Sequence, residues 1–318
     1  MDSARRLLAD MAPDFPPQYA GNIVTDTAEF MNIGHGDVIA VGGSHYLVLR
    51  DEAERRFGME DPKFWVKRCR HLESGERRIL KLEFFENFPV RIGSFEAHCY
   101  RSPQKESRIL DLTRGDPRFM QGETFMDAGG HNVRVLEVVQ GRRLDTLIED
   151  LDMDHEAYFR ERFPEVLDRF LGACEALRFL HERGEKHGDV RRDHIFVEYQ
   201  GGGWRWIDFD YAFDFHENPF GLDLFGLGNI LVFLTAKGTP TPMNIPAEVA
   251  ATLTGGDMSI VFGNRLVNLR KLYPYIPEDL NRVLLHFSAA SEVFYDSVEE
   301  LAGDLRACRA RLGQGDAP

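Results

Sequence analysis

Apolar and polar positions fall into two textures along the chain. From Asp37 the apolar residues gather in short runs rich in β-branched and aromatic side chains, VIAV, HYLVL, KFWVKRC and RILKLEFF, set apart by glycine or charged turns. Runs of this length and composition predict the strands of an antiparallel sheet, and the Gly42-Gly43 pair predicts a hairpin turn within it. A helical stretch follows near 105–113, where Ile109, Leu110 and Leu112 are apolar, and two more strand candidates lie around 123–125 and 133–139. Gly141 punctuates the chain, and beyond it the spacing becomes helical. In FPEVLDRFLGACEALRFLHERG the apolar residues Val166, Leu167, Phe170, Leu171, Cys174, Leu177 and Leu180 recur at three- and four-residue intervals, with Gly184 as the stop. The strand runs HIFVEY and WRWIDFDYAF come next, then the helical stretches DLFGLGNILVFLTA, PEDLNRVLLHFSAA and SVEELAGDLRACRARL. In the last of these Ser297 and Glu300 have the spacing of a capping box.

The pattern predicts an α+β, bilobal chain: an antiparallel-sheet N-lobe over 37–140, a connector near 139–142, and a mainly helical C-lobe over 141–318. Residues 1–36, with Pro13, Pro16 and Pro17, read as an N-terminal extension that carries no motif. With 318 residues, 43% of them apolar, the chain has enough material for one large core or two modest ones. A net charge of −14 works against nucleic acid or an anionic membrane as a partner, so any phosphate site has to be local. Cys69, Cys99, Cys174 and Cys308 are too widely separated for a disulfide framework or a zinc site, and reduced thiols are expected. No stretch reaches the roughly 20 apolar residues of a membrane span, and the expectation is a cytoplasmic protein. Trp65, Trp204 and Trp206 are expected in strand packing.

Two carboxylates stand out by position. Asp189 follows the long helix and precedes a strand, and Asp208 follows the short strand WRWI. Acids at neighbouring strand ends can face a common metal–nucleotide site, and phosphoryl transfer asks little more of a protein than charges held in place. The run LRFLHERGEKHGDVRRDHIFV resembles the end of a long C-lobe helix and the catalytic loop of protein kinases. The resemblance implies Asp189 as catalytic base, Arg191 in the place of the usual loop lysine, and His187 as the structural loop histidine. IDFD at 207–210 resembles the metal-binding D-F-G element, with Asp208 as metal ligand and Asp210 in the place of glycine.

Upstream, ILKLEFF resembles the N-lobe strand that carries the phosphate-contacting lysine, here Lys81, and KESRILDL the helix that carries its glutamate partner, here Glu106. VLEVVQGRRLDTLI resembles the hinge that holds adenine, with Leu136 as gatekeeper and Glu137 to Val139 lining it. Val66 and Gly58 fall where the glycine-rich loop and its following valine would touch the nucleotide. DLFGLGNIL resembles the motif whose aspartate, here Asp223, braces the catalytic loop. The C-terminal stretch YIPEDLNRVLLHFSAASEVFYDSVEELAGDLRACRARL resembles the last helices of bacterial serine/threonine protein kinases.

The chain departs from that family at four places. His194 stands five positions after Asp189, where a metal-binding asparagine is expected, and imidazole suits softer metals than Mg²⁺. The loop before Val66 keeps only Gly58 of its glycines. Asp208 to Asp223 spans only fifteen positions, with no A-P-E element and no Ser or Thr, and Phe294 replaces the arginine that normally pairs with that glutamate. Asp210 restricts a D-F-G flip, which predicts a constitutively placed Asp208. The resemblance implies an ATP-dependent phosphotransferase using Mg²⁺ or Mn²⁺, held by Asp208 and His194, and acting on a protein or a small hydroxyl-bearing acceptor. A nucleotide-binding pseudokinase and a sugar or lipid head-group kinase are the competing readings.

Overall fold

The computed structural model describes residues 2–56 and 59–312. The chain forms two compact units. The first comprises the described residues of Met1–Glu86, Arg101–Asp116 and Met120–Val139, and the second those of Asn87–Tyr100, Pro117–Phe119 and Gln140–Pro318.

The first unit is built on a seven-stranded sheet. Its strands are β1 (Ile23–Val24), β2 (Val38–Val41), β3 (Ser44–Arg56), β4 (Met59–His71), β5 (Arg77–Lys81), β8 (Gly122–Met126) and β9 (Asn132–Glu137), in the order β1-β2-β3-β4-β5-β9-β8. Every pairing is antiparallel except that of β1 with β2. Gly42 and Gly43 make the predicted β2–β3 turn with φ of 60° and 78°, the left-handed region open to glycine. Alternation along the strands sorts the core: Ile39, Val41, Tyr46, Val48, Cys69, Leu80, Leu82, Val133 and Val135 form one cluster. Val38, Leu47 and Leu72 belong to another, which is closed by the N-terminal extension. There α1 (Asp2–Met11) contributes Leu8, and Ala12 and Ala20 follow it. The extension is thus an apolar cover for the sheet. Helix α2 (Pro103–Leu112) is capped by Ser102, whose hydroxyl accepts from the Lys105 amide, and it buries Glu106, Ile109 and Leu110.

The glycine-poor stretch before Val66 is a continuation of the β3–β4 hairpin. The two strands stay paired through Glu52↔Lys63 and Glu54↔Asp61 to Arg56↔Met59. Gly58, expected to touch nucleotide, lies outside the described residues.

The second unit is mainly helical: α3 (Leu144–Glu149), α4 (His155–Glu161), α5 (Phe163–His181), α6 (Gly221–Ala236), α7 (Ala247–Ala250), α8 (Glu278–Leu285) and α9 (Val298–Arg311). Helix α6 is apolar on nearly all sides and buried on nearly all sides. Its glycines are needed for close packing: a Cβ on Gly226 would lie 2.5 Å from the Val190 carbonyl oxygen, and one on Gly228 2.2 Å from the Phe287 ring. A small sheet orders β10 (Gly141–Arg143), β11 (Ile195–Glu198) and β12 (Trp204–Trp206), and Trp206 donates its indole N–H to the Ala173 carbonyl of α5 at 3.0 Å.

A third sheet is absent from the sequence expectations. The hairpin β6 (Asn87–Ile92) and β7 (Phe95–Arg101) joins β13 (Tyr211–Asp214) in the order β13-β7-β6. The run WRWIDFDYAF is therefore two strands, parted where Asp208 takes φ of 68°, a conformation that no strand tolerates. Phe294, in the place of the expected arginine, packs edge-on against Phe95 of this hairpin and against Phe225 of α6. Among the described residues no helix is long and apolar enough to cross a membrane, and all four cysteines are buried and unbridged.

Asp26, Asp127 and His131 form a group with metal-ligand reach. The Asp127 carboxylate, however, already accepts from the Thr27 amide at 2.6 Å, the Thr27 hydroxyl at 2.7 Å, and the amides of Gly129 and His131 at 2.9 Å each. It works as a structural tie between the extension and the β8–β9 turn. Asp127→Ala is expected to cost about 2–3 kcal/mol in denaturant unfolding, because buried donors lose their acceptor. Burial raises the Asp127 pKa, but the hydrogen bonds from Thr27 and the His131 amide outweigh it and leave the pKa lowered. The contribution is complete above the ordinary carboxylate range and is lost as pH falls through the lowered folded value. Acid unfolding curves should therefore be shallower in Asp127→Asn than in the unaltered chain.

Candidate functional site

Each unit presents its own group of functional side chains. In the first, Lys81 ends β5 and lies in register between Val66 of β4 and Arg134 of β9. Its ammonium is 2.8 Å from Glu106 Oε1 of α2. The other carboxylate oxygen, Oε2, accepts from Arg134 Nε at 3.1 Å, and Arg134 is anchored further by the Leu82 carbonyl at 3.2 Å. Glu106 and Arg134 are fully buried and Lys81 is 5% exposed. The structure thus brings together Lys81 and Glu106, the pair named by resemblance, and adds Arg134, which sequence reasoning does not single out. Alternation in NVRVLE predicts Arg134 on the face opposite Val133 and Val135, and helix α2 closes over that face.

Val66 is buried beside Lys81, and Leu136 is buried in β9 opposite Ile79. Regular strand ends at Glu137, which is exposed, and Val138 and Val139 leave the sheet half-buried before β10 begins at Gly141. The predicted hinge therefore coincides with the passage of the chain from one unit to the next.

In the second unit the loop after α5 is held from α6. Asp223, fully buried, accepts from the His187 amide at 2.8 Å, the Gly188 amide at 2.9 Å and the His181 ring at 3.0 Å. Burial raises its pKa, but the His181 hydrogen bond and the neighbouring histidine charges outweigh this and hold it below the usual carboxylate range. Gly188 takes φ of 89°, a turn suited to glycine, and the close approach of Val190 to Gly226 fixes the far end of the loop.

This geometry delivers Asp189, whose side chain keeps 22% exposure. Burial raises the Asp189 pKa and Asp208 raises it further, against the opposing pull of His194 and Arg191. Arg191 lies 3.8 Å from Asp189 Oδ2 but forms its close, forked pair with Asp193. Asp193 is a second residue that sequence reasoning passes over; burial raises its pKa, yet His194 and Arg191 together hold it at about 2.

His194 stands between the two carboxylates. Its Nδ1 is 2.9 Å from the Asp189 carbonyl and 3.5 Å from Asp189 Oδ2, and its Nε2 is 3.6 Å from Asp208 Oδ2. Asp208 itself occupies the left-handed region, costly for a residue with a side chain and found mostly where the surroundings over-determine it. The Ile207 amide bonds the His194 carbonyl at 3.0 Å, tying the two segments together. Phe209 is buried against the His187 ring and Phe119. One carboxylate oxygen and one imidazole nitrogen thus face each other across 3.6 Å.

No protein-family model matches the chain, and no curated protein matches its sequence. The fold is similar to the solved PknI kinase domain of Mycobacterium tuberculosis. A double-mutant form aligns with a TM-score of 0.51 at 16% identity, covering 85% of this chain and 97% of that one. The kinase domain without those mutations gives 0.50 at 16% identity, covering 85% and 98%. The chain has the protein-kinase-like fold.

The Lys81–Glu106–Arg134 group generates a stability test. Glu106→Leu strands two buried cations and is expected to cost about 3–5 kcal/mol. Arg134→Met leaves the Lys81–Glu106 pair in place and should cost less, as read from urea midpoints of the two variants.

Proposed function

We propose that this chain is an ATP-dependent phosphotransferase that moves the γ-phosphoryl group to a hydroxyl acceptor. The observation that carries the reading is the second unit's loop, where a brace from Asp223 holds Asp189, and where Asp189 and Asp208 flank one imidazole. The buried Lys81–Glu106 pair adds support from the first unit.

In this reading Lys81 neutralises the α- and β-phosphates, and Glu106 holds the lysine extended for that purpose. Leu136 to Val139 line the adenine, with Val66 toward the rest of the nucleotide. Asp208 and His194 hold Mg²⁺ or Mn²⁺, which supplies charge neutralisation on the phosphate oxygens. Asp189 orients the acceptor hydroxyl and takes its proton as the new P–O bond forms. The bond from the γ-phosphorus to the β,γ-bridging oxygen breaks, and ADP leaves with that electron pair. The raised pKa of Asp189 makes it a better proton acceptor than an ordinary aspartate. Arg191 steadies the transferring group.

The acceptor is a serine or threonine side chain of a protein or a smaller hydroxyl compound. The segment between Asp208 and Asp223 carries no Ser or Thr for phospho-switching, and its first part is a strand of the third sheet. A second reading, a nucleotide-binding pseudokinase, draws support from His194 and from the extended β3–β4 hairpin that takes the place of a glycine-rich loop.

Metal-dependent ATP turnover and autophosphorylation by the purified chain test the proposal, with Mg²⁺ and Mn²⁺ compared side by side. Asp189→Asn is expected to lower turnover by about 10²–10⁴-fold while nucleotide binding persists. Undiminished turnover in that variant refutes the assignment of the base. Nucleotide binding without turnover in either metal transfers the reading to the pseudokinase.

A further inference from the structure

We propose that Arg192 and Arg265, two arginines brought together in the second unit with no carboxylate between them, bind an anionic group of the acceptor, a carboxylate or a phosphate. That the anion belongs to an acceptor rests on the phosphotransferase reading; that an anion binds there rests on the geometry of the second unit.

Two loops supply the pair. Arg192 opens the short 3-10 turn Arg192–His194, three residues beyond Asp189. Its Nη1 donates to the Thr239 hydroxyl at 2.8 Å, just past the end of α6, and its guanidinium lies 4.3 Å from the centre of the Phe233 ring. The residue after Thr239, Pro240, accepts from the Leu266 amide at 2.9 Å. Arg265 is thereby hung beside the loop that Arg192 grips, and its own amide closes a turn on the Phe262 carbonyl at 2.8 Å. The Arg265 guanidinium lies 3.8 Å from the centre of the Phe262 ring. The aromatic rings orient the two cations and leave their charge in place.

Charge is what makes this a site. Burial pushes the Arg265 pKa down, and the charge of Arg192 pushes it down further, with no carboxylate working the other way. Among the described residues neither arginine has an ion pair, whereas Arg191, next in the chain, is forked onto Asp193. The chain carries 52 acidic side chains against 38 of Lys and Arg, so the pair stands bare by position and not for want of carboxylates. Two half-buried like charges raise each other's energy, and an anion between them lowers it. The guanidinium fork matches the oxygens of a carboxylate or phosphate in a way that an ammonium does not. Three residues of chain reach about 10 Å at most, so an anion held by Arg192 and a hydroxyl oriented by Asp189 are close enough to belong to one molecule. The acceptor is then an acidic one: a serine or threonine flanked by an acidic or phosphorylated residue, or a small hydroxyl compound that bears a carboxylate or phosphate.

Calorimetric titration of the full chain with inorganic phosphate reads the site without turnover. Binding is expected to weaken at least about tenfold in Arg265→Gln, as for a lost charge-assisted hydrogen bond. Arg265→Lys keeps the charge and loses the fork, and its affinity should fall between the two; it carries the test if the glutamine variant does not fold. Transfer from ATP is then compared among serine peptides that differ only in a neighbouring Glu, phosphoserine or Lys, and between glycerol and glycerol 3-phosphate. The anionic acceptors are expected to have a KM at least about tenfold below that of their neutral or basic counterparts, an advantage that Arg265→Gln abolishes. Whether the peptide or the glycerol arm responds identifies the source of the anion. Phosphate binding that is absent, or that is the same in the variants as in the unaltered chain, overturns the inference. So does transfer that favours no anionic acceptor, and that result leaves the phosphotransferase reading standing. Phosphate binding that weakens in the variants, without transfer to any acceptor, upholds the anion site and sinks the phosphotransferase reading.

Discussion

Asp223 is wholly buried, and a carboxylate removed from water has to find its hydrogen bonds within the protein. It finds them in the loop that follows α5: two consecutive amides, of His187 and Gly188, and the ring of His181 at the helix end. The carboxylate is worth little as an isolated charge and a great deal as a template, because a loop with no regular hydrogen bonds of its own acquires one conformation from it. Helix α6 has no solvent face to spare for adjustment, and Gly226 lets Val190 settle directly on its backbone. The positions of Asp189 and His194 follow from that seat, and through the Ile207–His194 bond so does the approach to Asp208.

The first unit solves a similar problem with opposite charges. Two cations and one carboxylate are buried together, an arrangement that costs desolvation and gains mainly in definition of geometry. Arg134 matters here because it binds Oε2 of Glu106 while Lys81 binds Oε1. A glutamate held at both oxygens has little freedom to swing, so α2 is pinned to the sheet at the residue that orients Lys81.

Much of the architecture is legible from texture, since strand runs and helical runs are segregated along the chain and differ in period. The functional residues are legible chiefly through resemblance, because no periodicity distinguishes Lys81 from any strand lysine or Glu106 from a surface helix carboxylate. Arg134 escapes because burial by α2 is a tertiary fact laid over an alternation that reads as solvent-facing. The β6–β7 hairpin escapes for other reasons: NFPVRI contains Pro89, which argues against a strand unless it lies at an edge, as β6 does. FEAHCYR sets exposed Glu96 and His98 against buried Ala97 and Cys99, a weak alternation in a short run. The N-terminal cover of the sheet is hidden by prolines that mark turns within a packed segment.

The third sheet makes the second unit discontinuous in the chain. Asn87–Tyr100 and Pro117–Phe119 belong to it although Arg101–Asp116 does not. No single scissile point can therefore release this unit intact. A fragment beginning at Gly141 would leave β13 as a bare sheet edge, deprived of β7, and would strip Phe119 from beside Phe209 and Trp206. Such an edge is an invitation to pair with another chain. Modular excision at the connector, the natural choice for a two-lobed protein, would here produce an aggregation-prone remnant, and the inserted hairpin has to travel with the part it completes.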